Sequence, residues 1–231
     1  MGDYRYCKLF QAVIDRGTMS DQEARELIIK IFESNRPTQT YITEINKELQ
    51  RLSLVIKSAN CEHTGEKYWI LTNAVQDDMT RYQMELPANQ LELIKKVLHK
   101  IVTSPDSCAS SIDCLNFCPS LKQSMSKHDG DAFLKDMIAQ RWLFSKEGSY
   151  YIGVRSIVEL ITYLKTLNDG PLNTCCLCRQ IIFYGKRCNN CETIMHQFCL
   201  ADYEKVQGSL KCPNCSQRMG DANTSGTHAD K

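Results

Sequence analysis

The sequence predicts a mainly α-helical chain with small β hairpins, closed toward its C-terminal end by a compact two-metal module. Two observations predict this class. Over the first 170 residues, apolar residues recur at helical spacing in successive segments and then switch to short strand-like runs, and that order occurs twice. Beyond them, eight of the 13 cysteines crowd between Cys175 and Cys215. Composition is consistent with a globular chain: 231 residues, 42% hydrophobic and 24% charged, which excludes a wholly disordered or fibrous protein. Lys and Arg number 28 against 27 Asp and Glu, so net charge supplies no general attraction to nucleic acid or membrane. No stretch approaches the roughly 18 apolar residues of a membrane span. The opening Met1-Gly2-Asp3-Tyr4-Arg5-Tyr6 lacks the apolar run of a signal peptide, and Tyr6 stands where a myristoylation signal wants Ser or Thr. The expectation is a soluble, intracellular chain.

Tyr6, Leu9, Phe10, Val13 and Ile14 share a helical face that stops at Gly17, a residue suited to the position just past a helix. Ser20-Asp21-Gln22-Glu23 has the form of a capping box, in which the serine side chain and the glutamate three residues on satisfy each other's backbone donors. Ala24, Leu27, Ile28, Ile31 and Phe32 follow along one face. After Pro37 a third helix carries Ile42, Ile45, Leu49 and Leu52. The period then changes: Ser53 to Lys57 and Tyr68 to Leu71 read as strands joined across a polar stretch containing Thr64-Gly65-Glu66. Three helices closed by a hairpin is the winged-helix plan.

A second round begins after Pro87, with Leu91, Ile94, Leu98, Ile101 and Val102 on a helix ended by Ser104-Pro105. A less regular helical region lies between Ile112 and Leu121, and Ala132, Phe133, Met137 and Ile138 mark a third helix running to Arg141. Trp142-Leu143-Phe144, the turn Lys146-Glu147-Gly148 and Tyr150-Tyr151-Ile152 form another hairpin. A last helix with Ile157, Leu160, Ile161 and Leu164 leads into the linker Asn168-Asp169-Gly170-Pro171. The expected organisation is tandem winged-helix domains at 1–86 and 87–170, a finger at 171–216, and a disordered polar tail at 217–231.

A winged helix that reads DNA anchors its third helix with Lys and Arg. The first candidate, Thr40 to Leu52, sets Glu44 and Glu48 against Lys47 and Arg51. The second, Asp129 to Arg141, sets Asp129, Asp131 and Asp136 against Lys135 and Arg141. Over residues 1–174 there are 21 basic and 22 acidic side chains. Such a balanced surface reads as one for docking protein, with DNA bound only weakly or through a larger complex. Cys108, Cys114 and Cys118 lack a nearby ligand pair, and His63, His99 and His128 are isolated; all read as buried or incidental residues. No phosphate loop, nucleophile elbow or zinc-protease helix occurs, so no catalytic side chain is expected.

The C-terminal cysteines carry the chemistry. An odd total without a secretion signal speaks against a disulfide framework. The cluster runs Cys175-x2-Cys178, Cys188-x2-Cys191, His196-x2-Cys199 and Cys212-x2-Cys215. Seven thiols and one imidazole suffice for two tetrahedral zinc sites, and the two-residue spacing lets a tight turn bring both members of a pair onto one ion. Cys176 is left out, since pairing it with Cys178 breaks that spacing. A module of ~40 residues has too little apolar interior to fold alone. Zinc can supply the missing free energy, about 10–16 kcal/mol per site in finger peptides.

Four pairs in this order resemble the RING finger superfamily, in a C4HC3 variant. The resemblance implies interleaved sites: Cys175, Cys178, His196 and Cys199 on one ion, Cys188, Cys191, Cys212 and Cys215 on the other. A PHD finger, which reads histone tails, has nearly the same ligand order. It usually carries an aromatic residue two positions before the last pair, where this chain has Leu210, while Cys212-Pro213-x-Cys215 is typical of RING fingers. If the finger is of the RING kind, it is implied to hold a charged ubiquitin-conjugating enzyme through Leu177 and Pro213. Active ligases often place Arg or Lys just after the last ligand, whereas here Ser216-Gln217 intervene before Arg218.

Tandem winged helices running into a C4HC3 finger are similar to one family, the first non-SMC element of the SMC-five/SMC-six chromosome complex. Gln140 to Gly148 and Cys175 to Cys215 carry most of the match, which covers roughly residues 4–216. The resemblance implies a RING-type ubiquitin ligase that binds two Zn2+. It also implies docking to MAGE-domain and kleisin-like subunits, action in repair by homologous recombination, and residence in the nucleus on chromosomes. A non-catalytic zinc module that locks an assembly together, and a PHD-like histone-tail reader, are the alternatives.

Overall fold

The structure is a computed structural model; the residues described are 3–74, 86–168 and 170–219. The chain divides into two compact units, Met1–Pro171 and Leu172–Lys231. In the first unit, helix α1 (Tyr4–Arg16) is capped by the Asp3 carboxylate, which accepts from the Arg5 N–H at 3.0 Å. It ends at Gly17, whose φ of 65° is the left-handed backbone that glycine adopts without steric cost. A three-residue strand β1 (Thr18–Ser20) leads into α2 (Asp21–Phe32). The capping box forms there: the Glu23 N–H donates to Ser20 Oγ at 3.2 Å, and the Ser20 N–H donates to Glu23 Oε2 at 2.8 Å.

Helix α3 (Thr38–Leu49) buries Tyr41, Ile42, Ile45 and Leu49, and the hairpin of β2 (Leu54–Asn60) and β3 (Lys67–Asn73) closes the group. β3 is the central strand, with β2 and β1 antiparallel on either side. Leu9, Val13, Met19, Ile28, Ile42, Ile45 and Trp69 form the core. At about 1.5–3 kcal/mol for each large apolar side chain removed from water, this cluster dominates the favourable side of folding here. Trp69 keeps its one polar atom satisfied by donating from Nε1 to Asp21 Oδ1 at 2.9 Å.

The same order recurs. Helix α4 (Ala88–Thr103), strand β4 (Ala109–Ser110), α5 (Ser111–Asn116), α6 (Lys127–Ala139) and the hairpin β5 (Leu143–Lys146)–β6 (Ser149–Ile152) build a second sheet in the order β4-β6-β5. Leu93, Ile94, Val97, Leu98, Ile101, Phe133 and Leu134 are buried. Cys114 and Cys118 are fully buried too, as expected of thiols without a ligand pair. Burial pushes the Cys114 thiol up to about 12, so it behaves as a small apolar group.

The structure adds strands β1 and β4, which no sequence pattern announces, and corrects three expectations. The third helix of the first round ends at Leu49, followed by a 3-10 turn over Gln50–Leu52 that leaves Leu52 64% exposed. The corresponding helix of the second round ends at Ala139, because Arg141 adopts a left-handed φ of 66°. The last helix is two, α7 (Val154–Glu159) and α8 (Ile161–Thr166), broken at Leu160, where φ is −109° and ψ is 12°.

The two rounds meet inside the first unit. Cys61, Tyr68 and Ile70 from the first hairpin pack with Val154 and Val158 of α7. His63, at the turn between β2 and β3, lies over Phe144 and edge-on to Tyr151. Arg141 sits 5.4 Å from the Tyr68 ring centre. The expected division at 86/87 adjoins residues 75–85, which lie outside the described residues, as does Asp169 of the expected linker. Among the described residues, no helix is long and apolar enough to cross a membrane.

Candidate metal centre

The finger is built from three turns of one design. At Cys175–Cys178, Cys188–Cys191 and Cys212–Cys215, the residue after the second cysteine (Arg179, Glu192, Ser216) has a positive φ of 55–59°. Its N–H donates to the carbonyl of the first cysteine at 2.8, 2.8 and 2.9 Å. The first cysteine's own N–H donates five residues ahead, to Gln180, Thr193 and Gln217, at 2.8–2.9 Å. This left-handed residue reverses the chain so that both thiols of a pair face the same point.

The remaining pair comes from a helix end. His196 is the N-cap of α9 (Gln197–Gln207), which places Cys199 in its first turn. The imidazole lies nearly parallel to the Phe198 ring, with centroids 4.8 Å apart. A two-stranded ladder, β7 (Lys186–Arg187) and β8 (Ile194–Met195), connects the pairs.

Two clusters result, Cys175–Cys178–His196–Cys199 and Cys188–Cys191–Cys212–Cys215, each with all four ligand atoms within 4.8 Å of one another. The pairs therefore interleave. Cys188 and Cys215 sulfurs are 3.6 Å apart, as are those of Cys191 and Cys212. His196 Nδ1 is 3.4 Å from Cys178 Sγ and 3.7 Å from Cys199 Sγ. A tetrahedron with Zn–S bonds of about 2.3 Å has edges of about 3.8 Å. Both clusters are thus close to the size of a zinc coordination shell, and each can hold one ion.

The thiols are unequal. Burial opposes ionisation of Cys175, yet the N–H groups of Cys178, His196 and Leu177 outweigh it and bring it down to about 7. The Thr193 hydroxyl and N–H, with Asn214, bring Cys191 down to about 6. Burial pushes Cys212 up to about 12, and burial with the neighbouring Cys175 raises Cys199. Four thiols so close together do not all ionise unaided at neutral pH. A divalent cation makes them thiolates, which is why loading such a site releases protons.

The donors around the second cluster carry no signal in the sequence. Thr193 Oγ1 lies 3.1 Å from Cys191 Sγ and accepts from Asn214 Nδ2 at 3.1 Å. Asn190 hydrogen-bonds Cys215. Such groups orient ligands and tune the metal.

Cys176, left out of the ligand set, is exposed and belongs to neither cluster. Leu177 sits within the first turn, half-buried against the finger core, and Pro213 opens the last turn, also half-buried. The finger also runs further than the expected boundary at 216. The backbone of Arg218 forms an antiparallel β-bridge with that of Lys211, the Met219 N–H donates to the Leu210 carbonyl at 3.0 Å, and Met219 is 5% exposed in the core. Gln217 to Met219 thus belong to the finger and not to the tail; the rest of that tail, 220–231, lies outside the described residues.

Two repeats of helices and hairpin, followed by a cross-braced finger with three Cys-x2-Cys turns, define a RING-like zinc-finger protein of modular build. Residues 175–215 match the RING-like domain, and residues 8–160 match the Nse1 non-SMC component of the SMC5-6 complex. The chain is 27% identical over 217 residues to the non-structural maintenance of chromosomes element 1 homolog of Xenopus laevis, covering 91% of this chain and 80% of that one. The Homo sapiens homolog is 26% identical over 216 residues, covering 90% and 81%. A solved structure titled Nse1-Nse3-Nse4 complex superposes with a TM-score of 0.77 at 26% identity, covering 94% of this chain and 96% of that chain. The chain belongs to the Nse1 family.

Proposed function

We propose that this chain is a RING-type ubiquitin ligase subunit of an SMC5-6 assembly, acting in DNA repair by homologous recombination in the nucleus, on chromosomes. The observation that carries the reading is the cross-braced pair of Cys/His clusters, with Leu177 and Pro213 half-buried inside the first and last ligand turns. A finger of this kind makes no covalent intermediate. It binds a charged conjugating enzyme and holds the thioester-linked ubiquitin in a reactive pose, which is catalysis by positioning. Leu177 and Pro213 are the proposed conjugating-enzyme contacts.

The helix–hairpin repeats, read as winged helices, are proposed to dock a MAGE-domain subunit, the Nse3 of the related complex, alongside its kleisin, Nse4. Their charge balance supports protein docking over direct reading of DNA, which would be bound weakly or through the complex. A non-catalytic assembly role is favoured by one feature: Ser216 and Gln217 separate Cys215 from Arg218, the first basic residue after the last ligand.

A reconstituted ubiquitin-discharge assay, with a panel of charged conjugating enzymes and with or without a MAGE-domain partner, separates the two. Acceleration abolished by Leu177→Ala with both zinc ions retained is the expected result. No acceleration under either condition, with zinc bound and the partner docked, makes the finger an assembly element.

A further inference from the structure

Between the second turn of the finger and its last residues, Gln217 to Met219, lies a cleft of about 230 Å³ lined by Lys186, Arg187, Asn189, Asn190, Gln217 and Arg218. We propose that it binds a phosphomonoester, the phosphorylated serine or threonine of a partner protein. The inference holds whether or not the finger transfers ubiquitin.

Charge comes first. Residues 172–219 carry six Lys and Arg against three Asp and Glu, and three of those six cations line this one cleft with no carboxylate among its residues. Cys188 also lines it, and four thiolates with a divalent ion leave a net negative site next door. Those thiols already have neighbours of their own: Thr193 Oγ1 lies 3.1 Å from Cys191 Sγ and accepts from Asn214, and Asn190 hydrogen-bonds Cys215. Arg187 and Arg218 are exposed and make no ion pair among the described residues. Two guanidinium forks and a lysine match the three oxygens and near-double charge of a phosphomonoester, and arginine clusters are the usual readers of such groups.

Size and lining then select the partner. The cleft is smaller than the about 300–1,000 Å³ of a small-molecule pocket, so it suits one anionic group presented by a larger molecule. Its lining holds no aromatic ring, and single-stranded nucleic acid is held largely by stacking on such rings. The cations are gathered in a single cleft, whereas a duplex backbone calls for many phosphate contacts.

The test uses the full-length zinc-loaded chain. Titration of the 15N-labelled protein with inorganic phosphate should shift the amides of residues 186–190 and 217–218, and leave those of 175–178 unmoved. A degenerate phosphoserine and phosphothreonine peptide library should bind at least about tenfold better than the same library unphosphorylated. Arg187→Gln and Arg218→Gln should each remove about tenfold of that preference, the loss of one charge-assisted contact, with two zinc ions still bound. Arg218→Lys, which keeps the charge and loses the fork, should weaken binding without touching the metal. Equal binding of both libraries, or phosphate shifts absent or elsewhere, overturns the proposal. So does a duplex oligonucleotide that binds more tightly than the peptides. Loss of zinc in all three variants would assign these cations to the metal site instead, and would overturn it too.

Discussion

His63 lies flat on Phe144, the ring centres 4.4 Å apart and the planes 10° from parallel, so the turn of the first hairpin is seated on the second. Tyr151 closes the same imidazole edge-on at 4.2 Å. In a winged helix that grips DNA, the hairpin tip is free to touch a phosphate. Here the first tip is committed to contact within the chain, in keeping with the protein-docking role proposed for this unit.

That seat predicts a pH dependence. Burial, with Lys146 nearby, holds His63 down from 6.5 to about 4. The unfolded chain therefore takes up a proton that the folded chain refuses, and the stability this neutral histidine contributes is present above pH 6.5 and lost as pH falls toward 4. The two tryptophans, Trp69 and Trp142, both lie in this unit and report its unfolding. Urea midpoints followed by their fluorescence should fall between pH 7 and pH 5 in the parent chain, and fall less in His63→Phe. Identical slopes would show that His63 titrates normally.

Metal analysis should find two zinc ions per chain. Cys191→Ser, or a chelator, should unfold the finger while leaving the tryptophan fluorescence of the first unit unchanged. A change in that fluorescence would contradict the boundary between the two units.

Gly153 is a position of close backbone approach. A Cβ there would stand 2.2 Å from the Arg141 carbonyl oxygen and 2.5 Å from the Trp142 carbonyl carbon. The Gly153 N–H also donates to the Trp142 carbonyl at 3.0 Å. Since backbone has to move to admit the methyl, Gly153→Ala should cost about 1–3 kcal/mol, read as a lowered urea midpoint. An unchanged midpoint would mean that the α6–β5 corner yields freely.

Ser20→Ala should lower the stability of the first unit by about 0.5–2 kcal/mol, the usual range for losing an N-cap. Asp at the same position should recover most of it. Equal stability of the alanine and aspartate variants would mean that the Ser20 cap contributes nothing to folding.

The capping box and the eight ligands were legible because each is a local pattern, fixed by residues three or four apart. Strands β1 and β4 were not, because Thr18 to Ser20 and Ala109 to Ser110 are too short to show a period. They exist only through partners far along the chain, Thr18 opposite Ile70 and Ala109 opposite Tyr150. The break at Leu160 escaped for a similar reason: Ile157, Leu160, Ile161 and Leu164 keep helical spacing across it. Met219 escaped because a lone methionine after a polar triplet carries no pattern, and only its burial in the finger core shows where it belongs. The seat of His63 depends on two rings more than eighty residues away.

The interleaving of the two clusters has a consequence for how the finger comes apart. The peptide from Cys178 to Cys188, the one from Cys191 to His196 and the one from Cys199 to Cys212 each run from one ion to the other, like a lace crossing between two eyelets. Pulling either eyelet slackens all three crossings at once, so neither site has a loop of its own to keep. Occupancy of the two ions should rise and fall together, and a finger with one ion should be a passing state.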